Sequence, residues 1–361
     1  MNVDGTHYRT IWLADDGWTV NVIDQTRLPH EFQVLRLETV GEAARAISTM
    51  VVRGAPLIGA TAAYGMCLAM RADTGDTAID SACAQLAATR PTAVNLQWAL
   101  STMRNALTGL APKDRVDAAY RLAGEICDQD VAINHSIGTH GLEILRELSS
   151  RRRQADRLNI LTHCNAGWLA TVDWGTAMAP VYMAHDQGLP VHVWVDETRP
   201  RNQGAGLTAW ELQHHGVSHT VIVDNAGGHL MQHGLVDVCI TGTDRTTAAG
   251  DVCNKIGTYL KALAAHDNDV PFYAAVPGPS IDWSIRGDAL QIRIEQRPAT
   301  EVSHVTGRAD DGSIVRVQIT PDGTPVANHA FDVTPARLVT GLITDRGVCG
   351  ANREALHDLY R

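Results

Sequence analysis

Two neighbouring segments of this 361-residue chain carry side chains suited to acid chemistry on a phosphorylated substrate. Val238-Cys-Ile-Thr-Gly-Thr-Asp-Arg-Thr246 is an apolar run that ends in Asp244, and Cys253-Asn-Lys-Ile-Gly-Thr258 follows it, with Asn254 and Lys255 at what reads as the opening of a helix. In an open parallel α/β sheet, ligands bind just beyond the carboxyl ends of the strands, where loops and helix amino termini meet. A carboxyl group and an ammonium meeting there suit acid chemistry on a phosphorylated substrate. Lys255 stands out because Lys113 and Lys261 are the only other lysines. A general acid must keep its proton near neutral pH, which requires burial, and the apolar run ahead of Asp244 supplies it. The same aspartate also reads as a cap for a following helix.

Thr162-His-Cys-Asn-Ala-Gly167 places Cys164 at the end of another apolar run, with Asn165 and Gly167 opening a possible helix. A helix amino terminus stabilises a thiolate and lowers the cysteine pKa, so Cys164 reads as a nucleophile or proton acceptor; a small buried core residue is the other reading. Val52-Arg-Gly-Ala-Pro-Leu-Ile-Gly59 joins Arg53 to a glycine turn and a helix start, a cradle of guanidinium and backbone amides for phosphate. Gly59 and Ala63 also suit close helix packing. Arg90 brings a second arginine. Asp196-Glu-Thr-Arg-Pro-Arg-Asn-Gln-Gly-Ala-Gly206 is denser in polar and turn-forming residues than a short connection needs, and Gln203 in it can hydrogen-bond a sugar hydroxyl. Asp224-Asn-Ala-Gly-Gly228 is a strand-to-helix turn without the Gly-x-Gly-x-x-Gly spacing of a dinucleotide site.

These groups need elements to hold them. Residues 8 to 36 alternate around Asp15-Asp16-Gly17 and predict a small antiparallel hairpin. Thr39-Val-Gly-Glu42 has capping-box spacing; the helix it opens is expected to end at Arg53-Gly54, with Pro56 in the first turn of the next. Helical patterns follow over 78–88, 95–107 and 113–147, the last in one or two pieces. The arginine-rich run 149–157 reads as a domain junction. Beyond it, short β-branched runs at 158–163, 191–195, 220–223, 236–241 and 272–276 alternate with helical segments, the signature of βαβ units and a parallel sheet. The residues after these runs include Cys164, Asp196, Asp224, Asp244 and Pro277.

Composition excludes several classes. The net charge of -10 argues against a nucleic-acid ligand. The longest uncharged apolar tract, 55–70, is rich in Gly and Ala and falls short of the roughly 20 residues a bilayer span needs; a closely packed core helix is expected instead, with no membrane partner. The amino terminus lacks a secretory pattern. Seven scattered cysteines without a Cys-x-x-Cys pair read as reduced thiols in a cytoplasm. His229 and His233 have i, i+4 spacing but no His-Glu-x-x-His motif, so no metal site is expected.

Taken together, the segments resemble the methylthioribose-1-phosphate isomerases, which form a wider group with the regulatory subunits of the eukaryotic translation-initiation guanine-nucleotide exchange factor. Among the residues that carry the likeness are Met50-Val-Val-Arg-Gly-Ala-Pro56, Arg90-Pro-Thr92, His163-Cys-Asn-Ala-Gly167, Glu197-Thr-Arg-Pro-Arg201, Gln203-Gly-Ala205, Leu207-Thr-Ala-Trp-Glu-Leu212, Asp244-Arg245, Asn254-Lys-Ile-Gly-Thr258 and Ala330-Phe-Asp-Val-Thr-Pro335. The resemblance implies an α/β protein with a helical amino-terminal domain over 1–148, including the small hairpin, and a Rossmann-like carboxy-terminal domain with a mostly parallel sheet over 149–361. It implies a homodimer active without metal, nucleotide or other cofactor.

By the same resemblance, Cys164 and Asp244 are the catalytic pair, and Arg53, Gly54, Ala55, Arg90, Gln203, Asn254 and Lys255 bind the phosphosugar. The reaction implied is the aldose-to-ketose conversion of S-methyl-5-thioribose 1-phosphate to S-methyl-5-thioribulose 1-phosphate, a step of methionine salvage. 5-Deoxyribose 1-phosphate, then ribose 1,5-bisphosphate, are the alternative substrates, and a regulatory or scaffold subunit is the non-enzymatic alternative. Thr243, Gly206 and Gly278-Pro-Ser280 depart from the usual family residues and leave the preference at C5 open.

Overall fold

The computed structural model describes residues 1–91, 93–151, 157–287 and 292–361. The chain starts with a two-rung ladder of β1 (Asn2–Val3) and β2 (Thr6–His7). An antiparallel sheet of β3 (Ile11–Leu13), β4 (Val20–Ile23) and β5 (Val34–Leu37) follows. The expected hairpin is β3 and β4; β5 extends it by pairing Val34–Leu37 against Val20–Ile23.

The capping box forms at α1 (Val40–Ser48): Thr39 Oγ1 accepts the Glu42 N–H at 3.2 Å, and Glu42 Oε2 accepts the Thr39 N–H at 3.0 Å. The helix stops at Thr49, not at Arg53-Gly54 as its pattern suggested. Met50 takes φ 64°, which no helix continues, and Val52 is buried with its N–H on Ala46 O. Arg53 therefore leaves on a loop, ahead of α2 (Ala55–Ala72) with Pro56 in its first turn.

The apolar tract becomes α2, buried on nearly every side by α1, α3 (Asp76–Ala87), α4 (Val94–Thr108) and α5 (Arg115–Ser150). A Cβ at Gly59 would sit 3.1 Å from Asn95 O and one at Gly65 3.0 Å from a Leu86 methyl, so both glycines permit close helix packing. Among the described residues no helix is long and apolar enough to cross a membrane.

The 113–147 pattern is one continuous helix. The first half of α5 packs Ala119, Ala123 and Ile126 into the helical core, and its second half packs Ile137, Leu142 and Leu145 against the large sheet. The arginine-rich run starts in its last turn; residues 152–156 lie outside the described residues.

Next in chain order are β6 (Leu158–Thr162), α6 (Ala179–Asp186), β7 (Val191–Asp196), α7 (Ala209–His215), β8 (His219–Ile222), α8 (Ala226–Gln232) and β9 (Val238–Thr241). The chain continues through β10 (Arg245–Thr247), β11 (Val252–Lys255), α9 (Thr258–Asp267), β12 (Phe272–Val276), β13 (Ile281–Asp282), α10 (Thr300–Ser303), β14 (His304–Arg308) and β15 (Ile314–Gln318). It closes with β16 (Phe331–Thr334), β17 (Gly341–Thr344), β18 (Gly347–Cys349) and α11 (Arg353–Tyr360). All five expected sheet strands are present.

The large sheet runs β18-β17-β12-β9-β6-β7-β8, parallel except at β18. The chain builds outward from β6 through β7 to β8, then returns with β9 to the other side of β6 and builds through β12 and β17. This is the doubly wound, Rossmann-like order, and its reversal opens a crevice at the carboxyl ends of β6 and β9. A second sheet, β13-β10-β11-β16, covers that end. Asn254 and Lys255 lie on its strand β11, not on a helix start as expected; the helix begins three residues after Lys255, because pairing with Phe331–Thr334 extends the backbone here.

The two halves of the molecule are locked where α5 meets α6. A Cβ at Gly141 would lie 2.9 Å from Pro180 Cβ, against a ring that cannot move aside. Gly141→Leu is expected to lower stability by about 1–3 kcal/mol through overpacking, measured as a reduced urea midpoint at unchanged slope.

Candidate active site

Cys164 and Asp244 follow the two strands that flank the reversal. Ile160 pairs with Val238 and Leu161 with Cys239, so the two tips are neighbours. Both residues line one cavity with about 590 Å³ of space not filled by protein atoms, counting its open mouth. The other seven expected residues line it too: Arg53, Gly54 and Ala55 at the start of α2, Arg90 before α4, Gln203 before the π-helical turn Gly204–Thr208, and Asn254 and Lys255 on β11. Gly54 has φ 93°, and a Cβ there would lie 2.8 Å from the Ala170 carbonyl carbon. Only glycine lets the amino terminus of α2 approach this closely, and Gly54, Ala55 and Pro56 at that helix start form part of the cavity wall, a place suited to an anion.

The Cys164 thiol differs from the expectation of a lowered pKa. No α-helix begins after it; residues 168–170 form a short 3-10 turn. Cys164 has φ 67° and is held in that strained backbone by its N–H donating to Thr198 Oγ1 at 2.8 Å and its carbonyl accepting from Thr208 Oγ1 at 2.7 Å. Its Sγ–H donates to Gln203 Oε1 at 3.3 Å. Burial pushes the thiol pKa up, and the Arg53 and Lys255 cations pull it only part of the way back.

Burial also raises the Asp244 carboxyl, against the pull of Lys255, Arg90 and Arg53. The reading of Asp244 as a helix cap fails, because its N–H donates to Cys253 O at 3.0 Å and β10 follows. Arg245 turns away to Asp282 Oδ2 at 3.3 Å. Lys255 Nζ stands 4.6 Å from the centre of the Phe331 ring, and burial lowers its pKa. Arg90 rests on Glu295 Oε2 at 3.1 Å.

The initiation factor 2 subunit family model matches residues 51–351 of the chain. The methylthioribose-1-phosphate isomerase of Rhodospirillum rubrum is 63% identical over an alignment of 365 residues that covers 100% of this chain and 93% of the relative. The chain belongs to this isomerase family.

In three dimensions it is similar to the 5-methylthioribose 1-phosphate isomerase of Pyrococcus horikoshii OT3, with a TM-score of 0.83 and 39% identity over 98% of this chain and 96% of that one. It is also similar to translation initiation factor eIF-2B, subunit delta, from A. fulgidus, with a TM-score of 0.79 and 38% identity over 98% and 99%. The helical region, the hairpin and the mostly parallel sheet expected from the sequence are those of this isomerase fold.

Sequence reasoning missed the residues that hold the site. Arg53, 6% exposed, donates to Asn165 Oδ1 and, at 2.6 Å, to Asn165 O. The Asn165 amide donates to Thr208 Oγ1 and to Glu211 Oε1 at 2.8 Å. Glu211, fully buried, also accepts the N–H groups of Trp168 and Leu169 and the Tyr182 hydroxyl. Burial raises the Glu211 pKa and these donors oppose it. Nothing local marks Glu211, on α7, as buried, since a glutamate on a helix usually faces water.

A metal-like cluster sits behind Cys164. Ligand atoms of His163, Asp196 and Asp224 lie within 4.8 Å of one another. Lys261 Nζ occupies this place, 3.1 Å from Asp196 Oδ2 and on Asp224 O. The Asp224 carboxylate accepts the N–H groups of Thr198 and Arg199, and His163 bridges Asp196 Oδ2 and Ile256 O at 2.8 Å each. These donors are committed to bracing the Cys164 loop. The His229 and His233 rings lie 4.2 Å apart, tilted by 48°, with His233 Nδ1 on His229 O.

Two measurements follow from this geometry. Iodoacetamide labelling of Cys164, read by mass spectrometry, is expected to be slow at pH 7 and to rise with pH above the range of an ordinary thiol, since burial raises its pKa; labelling faster than a free cysteine's contradicts this. Glu211→Gln turns an amide NH₂ against N–H or O–H donors, and is expected to lower the unfolding free energy by about 1–3 kcal/mol, read by urea titration.

Proposed function

We propose that this chain is a cytoplasmic aldose–ketose isomerase that converts S-methyl-5-thioribose 1-phosphate to S-methyl-5-thioribulose 1-phosphate, with Asp244 as acid and Cys164 as base. One observation carries the reading: a carboxyl whose pKa burial raises and a buried thiol border a single cavity from neighbouring strand tips. Arg53, Lys255 and the first turn of α2 beside them suit a phosphate, with Arg90 able to exchange Glu295 for it. The names of the full-length relatives agree with this substrate.

In a sugar 1-phosphate the anomeric oxygen is esterified, so the ring cannot open by losing that hydroxyl's proton. Asp244 instead protonates the ring oxygen and the bond from that oxygen to C1 breaks. The Cys164 thiolate, favoured by Arg53 and Lys255, takes a proton from the C2 hydroxyl while hydrogen passes from C2 to C1 as hydride. On an enolate route it takes the proton from C2 itself, a proton is returned to C1, and the C2 hydroxyl gives up its proton to the base as the carbonyl forms. The product keeps its 1-phosphate, and the proton moved from Asp244 to Cys164 is restored through solvent. An enclosed cavity favours the hydride route, because water cannot intercept what moves. The active form holds a proton on Asp244 and none on Cys164, so the two titrate as a coupled pair.

Residues 1–148 supply Arg53 and Arg90, and residues 149–361 supply the acid, the base and Lys255; this division and a homodimer, checked by sedimentation equilibrium, are parts of the same proposal. A regulatory subunit without turnover has no need of a buried carboxyl and thiol in one cavity.

Asp244→Asn and Cys164→Ala are each expected to lower kcat by about 10²–10⁴-fold while KM stays within about threefold, because neither group anchors the phosphate. Ketose formation measured against time checks both. A variant that keeps a tenth of the wild-type kcat removes that residue from the proposed role.

A further inference from the structure

His163 lies one residue before the base, yet the chemistry above gives it no task. Its ring is 1% exposed, and the residue forms part of the cavity wall. Nδ1 stands 2.8 Å from Asp196 Oδ2, and Nε2 stands 2.8 Å from the carbonyl oxygen of Ile256, the residue after Lys255. Gly257, at φ 103°, makes room for the ring: a Cβ there would lie 2.9 Å from His163 Cε1.

The partners decide how many hydrogens the ring carries. A neutral imidazole has one N–H and one bare nitrogen, whereas an imidazolium has two N–H groups. A backbone carbonyl only accepts. Asp196 Oδ2 accepts too, since the Lys261 ammonium stands 3.1 Å from it. A bare nitrogen facing either oxygen would set lone pairs against each other in a buried place and leave an acceptor unmet. The surrounding charges agree. Asp196 on β7, Asp224 after β8 and Asp332 on β16 bring three carboxyls within electrostatic reach of the ring, and Lys261 on α9 brings one ammonium. Asp196, fully buried, has no donor on Oδ1 among the described residues, so its charge is met through Oδ2.

Resting on the isomerase reading, we infer that His163 is a positioning residue held as an imidazolium, a charged clamp that ties the backbone beyond Lys255 to the Cys164 loop. The clamp joins two sheets: His163 follows β6 of the large sheet, and Ile256 follows β11 of the second. It fixes the lysine that suits the phosphate against the base, and orientation of C1 and C2 depends on that spacing.

Two readouts test this. In the full chain labelled with ring-¹⁵N histidine, the pair of nitrogen signals lost in His163→Gln should carry the matched shifts of an imidazolium at the pH of the activity assay. A pair split into one protonated and one bare nitrogen overturns the inference. The second readout is kinetic, with S-methyl-5-thioribose 1-phosphate as substrate. Asparagine places its amide near the position of Nδ1, and glutamine near that of Nε2. His163→Asn keeps the Asp196 bond and releases Ile256, so KM should rise about tenfold with kcat within about threefold. His163→Gln keeps the Ile256 bond, and its KM should stay within about threefold of the wild type. Equal KM in the two variants at matched thermal midpoints, or a fall in kcat with KM unchanged in both, overturns the clamp. The spectrum needs no turnover, so a wild type that fails to convert the sugar overturns the isomerase reading and not the charge on His163.

Discussion

Burying the guanidinium of Arg53 beside a thiol and a carboxyl is the constraint around which the site is built. A desolvated charge persists only where its hydrogens meet fixed acceptors, and here both acceptors come from Asn165, next to the base. Asn165 then needs acceptors for its own amide, found in Thr208 and Glu211, and the Glu211 carboxylate needs donors, found at Trp168, Leu169 and Tyr182. One buried cation thus ties the start of α2, the loop after β6 and the helix α7 into a single polar network. The network is stabilising only when complete, so its members rigidify one another.

The same enclosure sets the protonation of the pair. Removing water raises the pKa of Asp244 and of Cys164 together, which suits the acid and opposes the base. The nearby Arg53 and Lys255 partly compensate at the sulfur, and they are also the cations suited to the substrate phosphate. Binding charge and tuning charge are therefore shared, and the cavity achieves both with few ionisable groups.

Some of this was readable along the chain and some was not. The capping box at Thr39 and Glu42, the five sheet strands and a core helix over the apolar tract 55–70 follow from local spacing, and all formed, the helix running on to Ala72. The end of α1 did not follow, because Met50 adopts a left-handed turn, with Val52 buried just after it, and methionine does not advertise such a turn. Asn254 and Lys255 looked like a helix start and became a strand, since the partner strand β16 lies more than 75 residues later in sequence. The Cys164 thiol was expected to be acidified by a helix that is absent.

Residue types and order alone determined which side chains can do chemistry and near which strand ends they fall, because a period of two or 3.6 residues and the apolar runs are local properties of the chain. Tertiary structure alone decided how far each pKa moves, which cation faces which acceptor, and that Glu211, Lys261 and Asp196 brace the site from within. Those outcomes depend on desolvation and on partners brought together from distant segments, and no local pattern encodes the distance between two residues that only the closed fold makes neighbours.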